Sequence, residues 1–312
     1  MKSGVVIIGA GQASAVAAAT LRKEKYTGTI RILGDESQPA YDRPPLSKYY
    51  LAGEMELPKL LIRPAEFYAD NDIDLHTNTR VASIDAEAKQ VVTATDEVFD
   101  YDKLVIATGS TWARHGIGRH NHVPIPASKD SIVLTPDEIM AGATPKGPVV
   151  VFDDDHYFMG GVLAEKLRRD GLDVTYVTPM ADVSHWTHNT MEQGKIQTRL
   201  METGVKIVPL HNLTSVHSDH VKLACVYTDQ IKTIPCASVV MVTMRDAKDA
   251  LYNALATTSG AGLKTLTRIG DCLAPGTIAA AVYSGHRFAR EHGEPPVEGV
   301  PFRRELPALA DD

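Results

Sequence analysis

The feature that most constrains this chain is residues 5–14, VVIIGAGQAS, in which an apolar run leads directly into Gly9, Gly11 and Ser14. An apolar strand that ends in a glycine turn and continues as a helix is typical of a dinucleotide-binding fold. The first glycine permits the tight turn, and the second leaves the backbone open to a phosphate. The helix start then offers free N–H groups and the positive end of its dipole. This run therefore predicts a dinucleotide site at the start of the chain.

Two acidic residues support that interpretation. Asp35 and Glu36 follow a second apolar segment, residues 29–33, and lie at about the ~20-residue offset expected for a carboxylate that binds a ribose hydroxyl. Ser14 stands where a third glycine or an alanine is usual, so we expect slightly looser packing of helix on strand. A glycine-rich turn in an ordinary parallel α/β protein is the alternative. The order strand, helix, strand and acid favours nucleotide binding.

Composition excludes several partner classes. The 312 residues contain 44% hydrophobic and 23% charged residues, which is typical of a globular protein long enough for two domains. The net charge is −7 with both signs interspersed, so we expect neither nucleic-acid nor membrane-surface binding. No apolar run reaches the ~18 residues that a membrane helix needs. The expected location is cytoplasmic.

The three cysteines, Cys225, Cys236 and Cys272, include no C-x-x-C pair. They cannot form a closed disulfide framework, which agrees with a reducing compartment. They also cannot supply the four thiolates of an iron-sulfur cluster or the paired thiols of a disulfide reductase. Cluster and dithiol chemistry are therefore not expected within this chain, and Cys272 is interpreted as a small buried residue.

Strand and helix patterns alternate twice along the chain. Buried strands are predicted at 29–33, 103–107, 148–152, 173–177, 205–209 and 238–243, an antiparallel ribbon at 90–101, and helices at about 159–169, 190–203 and 276–292. This repetition predicts an α/β protein with two nested doubly wound, Rossmann-like domains of the FAD/NAD(P)-binding superfamily.

Residues 1–110 carry a first family resemblance. The segments GAGQAS, ILGDES, YDRPPLSK, RPAEFYADNDIDL, TRVASID and YDKLVIATGS resemble, in order and spacing, the FAD domain of the rubredoxin, putidaredoxin and related ferredoxin reductases. The resemblance implies that Gly9 and Gly11 hold the FAD diphosphate. We expect Lys48 to be a candidate for stabilising the reduced flavin. The further FAD contacts that the resemblance implies are Arg43 and Lys48 as basic residues, the Val81 backbone at the adenine, and the second glycine motif Ala107, Thr108 and Gly109.

Residues 112–292 carry a second resemblance. HGIGRHNHVPIP, VVVFDDDHYFMGGVLAEKL, WTHNT and RIGDCLAPGTIAAAVYSGHRFARE resemble the C-terminal nucleotide domains of the trimethylamine and dimethylglycine dehydrogenase group. The change of family near residue 110 suggests a natural recombination or an engineered chimera, and the sequence leaves both open. The two resemblances imply an FAD-binding domain at 1–110 and 245–292. They also imply an inserted, degenerate NAD(P)-like domain at 111–244 and an extended tail at 293–312.

Both families share the element that begins at Gly270-Asp271. The resemblance implies that Asp271 hydrogen-bonds the ribityl chain of FAD, while the following helix start faces the flavin pyrimidine. The backbone donors expected there are Thr277, Ile278 and Ala279, because a positive dipole end stabilises negative charge on the reduced ring. The alternative is that Asp271 merely caps that helix.

The second glycine turn is replaced. A working NAD(P)H site would read G-x-G-x-x-G before the helix at 159, but residues 153–158 read DDDHYF. Carboxylates at the glycine positions repel a diphosphate, so an ordinary NAD(P)H pose is not expected. A cation, a hydroxyl-rich ligand or no ligand are the alternatives, and an empty or structural pocket is favoured. His115, His120 and His122 are interpreted as a polar loop rather than a metal site, and no metal is expected.

These observations support one leading hypothesis and two alternatives. The leading one is an FAD-binding oxidoreductase or electron-transfer flavoprotein that passes electrons to a protein redox partner or a larger dehydrogenase subunit, without ordinary NAD(P)H binding. No catalytic acid or base is identified. The first alternative is a non-catalytic ADP- or FAD-binding subunit of a larger dehydrogenase complex. The second is an NAD(P)H-dependent ferredoxin-type reductase, which the acidic turn disfavours.

Overall fold

The computed structural model describes residues 4–42, 56–257 and 266–294. The chain divides into two compact units. The first unit is Met1–Gly109 with Asp249–Asp312, and the second unit, Ser110–Lys248, is inserted between its two parts. The expected α/β class with two nested doubly wound domains is confirmed. Within the described ranges, no helix is both long and apolar enough to span a membrane.

The described strands are, in chain order, β1 (Gly4–Ile8), β2 (Thr29–Leu33), β3 (Ile73–His76), β4 (Val81–Asp85), β5 (Gln90–Thr93), β6 (Val98–Asp100), β7 (Lys103–Ile106), β8 (Ser110–Trp112), β9 (Val133–Leu134), β10 (Val149–Asp153), β11 (Val174–Val177), β12 (Lys206–Val208), β13 (His211–Val216), β14 (His220–Cys225), β15 (Ile231–Pro235), β16 (Ser238–Val242), β17 (Arg245–Ala247) and β18 (Leu266–Arg268). The α-helices are α1 (Gln12–Lys23), α2 (Ala65–Asp70), α3 (Pro136–Met140), α4 (Phe158–Arg169), α5 (Gln193–Glu202), α6 (Ala250–Ala256) and α7 (Ile278–Arg290), with short 3₁₀ helices at Leu57–Lys59, His185–Thr190 and Gly270–Cys272.

The first unit is built on a parallel sheet of order β18-β7-β1-β2-β3. Strand β1 is buried along its whole length, as expected for a continuous apolar strand at the centre of a parallel sheet. A smaller antiparallel sheet of order β4-β5-β6 contains the ribbon that the alternation at 90–101 predicts. The carboxyl ends of β1, β2 and β7 therefore meet at one edge of the parallel sheet, where ligands of such folds bind.

Helices α1 and α7 pack closely because small residues face each other. A side-chain carbon added at Gly285 would lie only 2.5 Å from the carbonyl oxygen of Ala13. Further along α1, the Thr20 hydroxyl is 2.8 Å from Nδ1 of His286. Ala13 and Ala17 are buried in the core cluster that also contains β1 side chains. This close packing fixes α7 against the helix that follows the glycine turn.

The second unit has a similar parallel sheet of order β12-β11-β10-β16-β9, although its outer strand β9 precedes the central strand in the chain. Strand β10 and strand β16 are buried along their whole lengths. Helix α4 follows β10 at the position that the sequence predicts. A β8-β17 pair and an antiparallel sheet of order β13-β14-β15 complete the unit.

One helix boundary differs from the expectation, and one sheet was missed. The helix expected at about 190–203 is present as α5 but begins only at Gln193, because Met191 takes a left-handed conformation with φ 58° after the 3₁₀ helix His185–Thr190. The sheet β13-β14-β15 was not predicted. Its outer strand β15 is largely exposed, so it lacks the buried apolar pattern that reveals a strand. The expected tail, residues 293–312, lies outside the described residues from position 295 onward.

The packing of α7 on α1 gives a first testable prediction. Gly285→Ala should lower the stability of the first unit by on the order of 1 to 2 kcal/mol, because overpacking against the Ala13 carbonyl outweighs the better helix propensity of alanine. Thermal unfolding followed by circular dichroism measures this. Gly194→Ala in α5 adds the same methyl group to open space and should be neutral or stabilising. Equal effects of the two substitutions would contradict the proposed close packing.

Candidate functional site

The glycine turn after β1 is held by its neighbours on both sides. Gly9 has φ +107°, and its N–H donates to the Leu33 carbonyl at the end of β2 at 2.8 Å. A side-chain carbon at Gly9 would lie 2.1 Å from the Ala107 carbonyl oxygen. A side-chain carbon added at Gly34, which follows β2, would likewise lie 2.3 Å from Cβ of Ala10. Glycine is required at this turn because three strand ends approach one another closely.

Gly11 faces open space, in contrast to Gly9. It is exposed, and within 4 Å of an added side-chain carbon there is no other part of the described chain. It precedes α1 as the N-cap residue, without a side-chain cap and without an acidic residue in the first turn. Ser14 is fully buried and its hydroxyl donates to the Gly9 carbonyl at 2.5 Å. The helix start thus presents backbone N–H groups beside a free surface, which suits a diphosphate.

The two acids expected at the ribose lie at the same edge of the sheet. Asp35 and Glu36 are both exposed and follow β2, which pairs with β1 so that Leu33 stands beside Ile8. The Glu36 carboxylate accepts a hydrogen bond from the Tyr41 hydroxyl at 2.7 Å. The structure therefore leaves both carboxylates at the surface near the glycine turn, and Glu36 has a partner that the sequence did not reveal.

The second glycine motif lies beside the first. Ala107 N–H donates to the Ile8 carbonyl at 2.8 Å, which joins the end of β7 to the end of β1. Gly109 has φ +76° and faces open space, and Thr108 joins it to Ala107 in the chain. Val81, the first residue of β4, is partly buried against the cluster that contains Ile8. Among the described residues that the first resemblance implies, the two glycine motifs therefore meet at one edge of the parallel sheet, and Val81 packs against the same core as Ile8.

The Gly270-Asp271 element packs against α1. Gly270 has φ +68°, and a side-chain carbon there would lie 2.8 Å from Cβ of Ala13. Its N–H donates to the Ser284 hydroxyl at 3.0 Å, a contact that the sequence did not predict. Asp271 is half-buried and one carboxylate oxygen accepts the Gly276 N–H at 3.3 Å. That bond orders the loop before α7.

The start of α7 is open. Thr277 is its N-cap residue, and among the described residues no side chain caps it. The backbone N–H groups of Ala280 and Ala281 bond to the Thr277 carbonyl inside the helix. Thr277, Ile278 and Ala279 are exposed at its first turn. The expected backbone donors are thus at an accessible helix start, whereas Arg43 and Lys48 lie outside the described residues.

In the second unit the turn after β10 is filled by its own side chains. Asp153 is fully buried, and one carboxylate oxygen accepts the N–H groups of Asp155 at 3.1 Å and His156 at 2.9 Å. The other oxygen accepts a short hydrogen bond from the Tyr176 hydroxyl. Burial raises the pKa of Asp153 to about 6, although the neighbouring His156 opposes the rise. A side-chain carbon at Gly160 would lie 2.7 Å from the Asp153 carboxyl carbon, so this side chain fills the space at the start of α4.

Asp154 binds a loop of the same unit. Its carboxylate accepts the backbone N–H of His120 at 3.0 Å and of Asn121 at 2.9 Å, and it is fully buried. Burial alone would raise the pKa of Asp154, but hydrogen bonds from His156, Asn121 and His120 outweigh it, and the pKa is lowered. A side-chain carbon at Gly118 would lie 2.3 Å from this carboxylate. The loop therefore lies directly on the turn.

Asp155 and Arg119 form a further contact between the turn and the same loop. Arg119 donates from Nε to the Asp155 carbonyl at 2.9 Å, and its guanidinium lies 3.8 Å from the Asp155 carboxylate. Burial raises the pKa of Asp155 more than Arg119 lowers it. The three consecutive aspartates thus point to three different partners. The sequence did not predict these partners, but a tyrosine in a largely buried strand such as β11 is a signal that its hydroxyl meets a buried partner.

The cysteines lie apart from any thiol partner, and all three are free. Burial raises the pKa of the Cys236 thiol to about 11. Cys272 is buried and its thiol lies 3.0 Å from the Ile106 carbonyl oxygen, which agrees with its interpretation as a small core residue. Cys225 is half-buried in the second unit.

Comparisons with known proteins agree with this geometry. The family model described as pyridine nucleotide-disulphide oxidoreductase matches residues 3–269. Dimethylamine dehydrogenase of Hyphomicrobium sp. (strain x) is 30% identical over 245 residues, which are 70% of this chain and 33% of that protein. Rubredoxin-NAD(+) reductase of Pseudomonas putida is 42% identical over 110 residues, 35% of this chain and 29% of that protein.

A solved structure matches almost the whole chain. Histamine dehydrogenase from Rhizobium sp. 4-9 superposes with a TM-score of 0.83 at 33% identity, covering 99% of this chain and 47% of that one. Both resemblances stated from the sequence are therefore confirmed. The chain spans less than half the length of these three relatives.

The buried pair Tyr176 and Asp153 gives a second prediction. Tyr176→Phe should destabilise the second unit by about 1–3 kcal/mol, because the Asp153 carboxylate and the Ser184 N–H, 3.0 Å from the hydroxyl, both lose a buried partner. Urea unfolding followed by fluorescence measures this. Tyr227→Phe removes the same hydroxyl from a side chain that is 79% exposed and should change stability little. Similar losses in both variants would disprove a special role for the buried hydroxyl.

Proposed function

Because the chain belongs to the pyridine nucleotide-disulphide oxidoreductase family, we propose that it is an FAD-binding oxidoreductase or electron-transfer flavoprotein that passes electrons through the flavin to a partner. The observation that carries the proposal is the turn at Gly9 and Gly11. It is tightly packed where a nucleotide site needs a fixed backbone and open where the diphosphate needs access.

The nucleotide end of the cofactor fits the first unit. Gly11 and the uncapped start of α1 would hold the diphosphate, with Ser14 closing the turn behind it. Asp35 or Glu36 would accept the ribose hydroxyl groups, because both are exposed after β2. The Val81 backbone would contact the adenine, and Ala107, Thr108 and Gly109 would lie under the cofactor. In this assignment the first unit is the FAD-binding domain, and Arg43 and Lys48 stay predicted basic contacts.

The flavin end fits the element before α7. Asp271 would bind the ribityl hydroxyl groups, and the N–H groups of Thr277, Ile278 and Ala279 would face the pyrimidine edge. When bound, FAD supplies electron transfer through its isoalloxazine ring. The chain contributes orientation and a positive helix end near that edge. Lys48 stays a candidate for the same stabilisation.

The turn of the second unit argues against the usual binding mode of NAD(P)H, and therefore favours a different electron donor. Asp154 already binds the N–H groups of His120 and Asn121, so the loop at 118–121 covers the turn that a diphosphate would need. We therefore propose that this unit is a degenerate NAD(P)-like domain and that the partner is a redox protein or a larger dehydrogenase subunit. A ferredoxin-type reductase that uses NAD(P)H is disfavoured for the same reason. The cytoplasmic location stays a prediction.

A second candidate function rests on a separate observation. Ninety-nine per cent of the chain matches 47% of the histamine dehydrogenase chain, so this architecture also exists as one part of a larger amine dehydrogenase. A non-catalytic subunit that binds ADP or FAD for stability is therefore the alternative. The nucleotide released from the protein distinguishes the two.

The third prediction tests cofactor binding directly. Denaturation of the purified protein should release FAD, and the native protein should show flavin absorbance that NADH and NADPH reduce slowly or not at all in stopped-flow mixing. Gly11→Trp should lose the nucleotide and keep its fold, because the added side chain enters open space where the diphosphate would lie. Gly194→Trp, which also enters open space but in the second unit, is the control. Release of ADP alone would favour the non-catalytic subunit. Full flavin content in the Gly11→Trp variant would refute the assignment of this turn as the diphosphate site.

The fourth prediction concerns Asp271. Asp271→Ala should weaken FAD binding by about tenfold or more, since one hydrogen bond to a charged group is worth about 1.5–3 kcal/mol, and should weaken ADP binding much less. Only FAD has the ribityl chain. Isothermal titration of the apoprotein with each nucleotide measures the difference. Asp271→Asn keeps an acceptor for the Gly276 N–H and controls for loosening of the loop. Equal losses for FAD and ADP would contradict the assigned role.

A further inference from the structure

Three side chains of the second unit converge on one point. Nδ1 of His120 and Nε2 of His156 are 3.0 Å apart. The Asp154 oxygen Oδ1 lies 3.2 Å from the first nitrogen and 3.0 Å from the second. Two nitrogen atoms and one carboxylate oxygen therefore form a nearly regular triangle. Asp154 and His156 are fully buried, whereas the His120 side chain is 43% exposed.

The size of this triangle matches one face of a metal site. A tetrahedral zinc ion with bonds of about 2.0–2.1 Å separates its ligand atoms by roughly 3.3–3.4 Å. The observed distances are only a few tenths of an ångström shorter. Two imidazole nitrogens with one carboxylate oxygen are also a ligand set that binds Zn²⁺ and similar divalent ions.

We propose that His120, Asp154 and His156 form a binding site for a divalent transition-metal ion of the Zn²⁺ type. The ion would have these three protein ligands, and the exposed side of His120 would leave a further coordination position open to solvent. This site is independent of the proposed FAD function, because it lies within the second unit and uses none of the residues assigned to the cofactor. The interpretation from the sequence was a polar loop instead, because no cysteine or carboxylate pattern accompanies His115, His120 and His122.

The ligands are held in place by the surrounding backbone. The N–H groups of His120 and Asn121 both donate to the Asp154 carboxylate, which fixes its orientation. His156 has φ +63°, and its backbone N–H is bound to Asp153. Its second ring nitrogen lies 3.5 Å from the Thr178 hydroxyl, the kind of outer partner that orients a metal-binding histidine. A site arranged in advance loses little ordering entropy on binding.

The local charge also favours a cation. Asp153 and Asp155 flank Asp154 in the chain, and both are largely or fully buried. The nearby Arg119 is engaged by Asp155, and its guanidinium lies 4.4 Å from the centre of the Trp186 ring. A divalent ion would satisfy the three converging atoms together and would partly offset the buried negative charge.

A second group of histidines could also bind the metal ion, so its imidazoles are removed before the test. Asp182 binds His185 at 2.6 Å through one carboxylate oxygen and His188 at 2.7 Å through the other. This group is more exposed, and its contacts use two different oxygens. The double variant His185→Gln/His188→Gln removes its imidazoles and leaves the proposed site unchanged. All measurements are made in this background with the full chain.

The fifth prediction is the metal titration itself. After treatment with EDTA and its removal, the background protein should bind one Zn²⁺ per chain in isothermal titration, and Co²⁺ should give visible bands typical of low coordination number. His120→Gln should weaken Zn²⁺ binding by more than the roughly 10- to 100-fold that loss of an outer partner costs. His122→Gln, which changes another histidine on the same loop, should bind Zn²⁺ as the background does.

Asp154→Asn provides an independent test, because it keeps the shape of the side chain and removes its charge. It should weaken Zn²⁺ binding and abolish the Co²⁺ bands, with circular dichroism confirming the fold. Equal Zn²⁺ affinity in the His120→Gln and His122→Gln variants, or no specific binding by the background protein, would overturn the proposal. The three side chains would then form a hydrogen-bonded cluster only. Neither result bears on whether the first unit binds FAD.

Discussion

The close approach of three parallel strand ends is the constraint on which the first unit depends. The turn after β1 bonds to the end of β2 through Gly9 and Leu33, and it leaves no space for a side chain between Gly9 and Ala107. Since the backbone is held this tightly, the start of α1 is fixed in position and Gly11 meets open space. A rigid turn with one accessible face can bind a diphosphate without first losing the entropy of a mobile loop.

The two units share a topology but differ in the contents of the turn after the central strand. In the first unit the space in front of the turn is open. In the second unit, Asp153 and Asp154 accept the backbone N–H groups around them, as a bound anion would. The two carboxylates therefore take up the backbone N–H donors of the turn and also fill the space that a diphosphate would need. The turn keeps a strand–turn–helix fold while its own side chains replace the ligand.

The sequence predicted much of the parallel sheets because buried strands have continuous apolar runs. Strands β2 and β10 and helix α4 occur at or within a residue or so of their predicted positions. The sheet β13-β14-β15 was missed because half-exposed strands have weak hydrophobic patterns.

At the candidate site, the positions of the glycines and of the two acids after β2 followed from the glycine motif and its spacing. The Ser284 contact to Gly270 and the Tyr41 contact to Glu36 did not, since these partners are joined only by folding.

The sequence by itself determined the fold class, the family and the candidate cofactor turn, because these depend on local strand–turn–helix patterns and glycine spacing. It also showed that the second turn had lost its glycines. Only the tertiary structure decided what replaced them. His120 stands far from Asp154 and His156 in the chain, and the loop that carries it is held on the turn by contacts to Asp154 and Asp155, among them the hydrogen bonds from its backbone N–H groups to the Asp154 carboxylate. Contacts between segments distant in the chain leave no local pattern, so the convergence of these three side chains is a property of the folded unit.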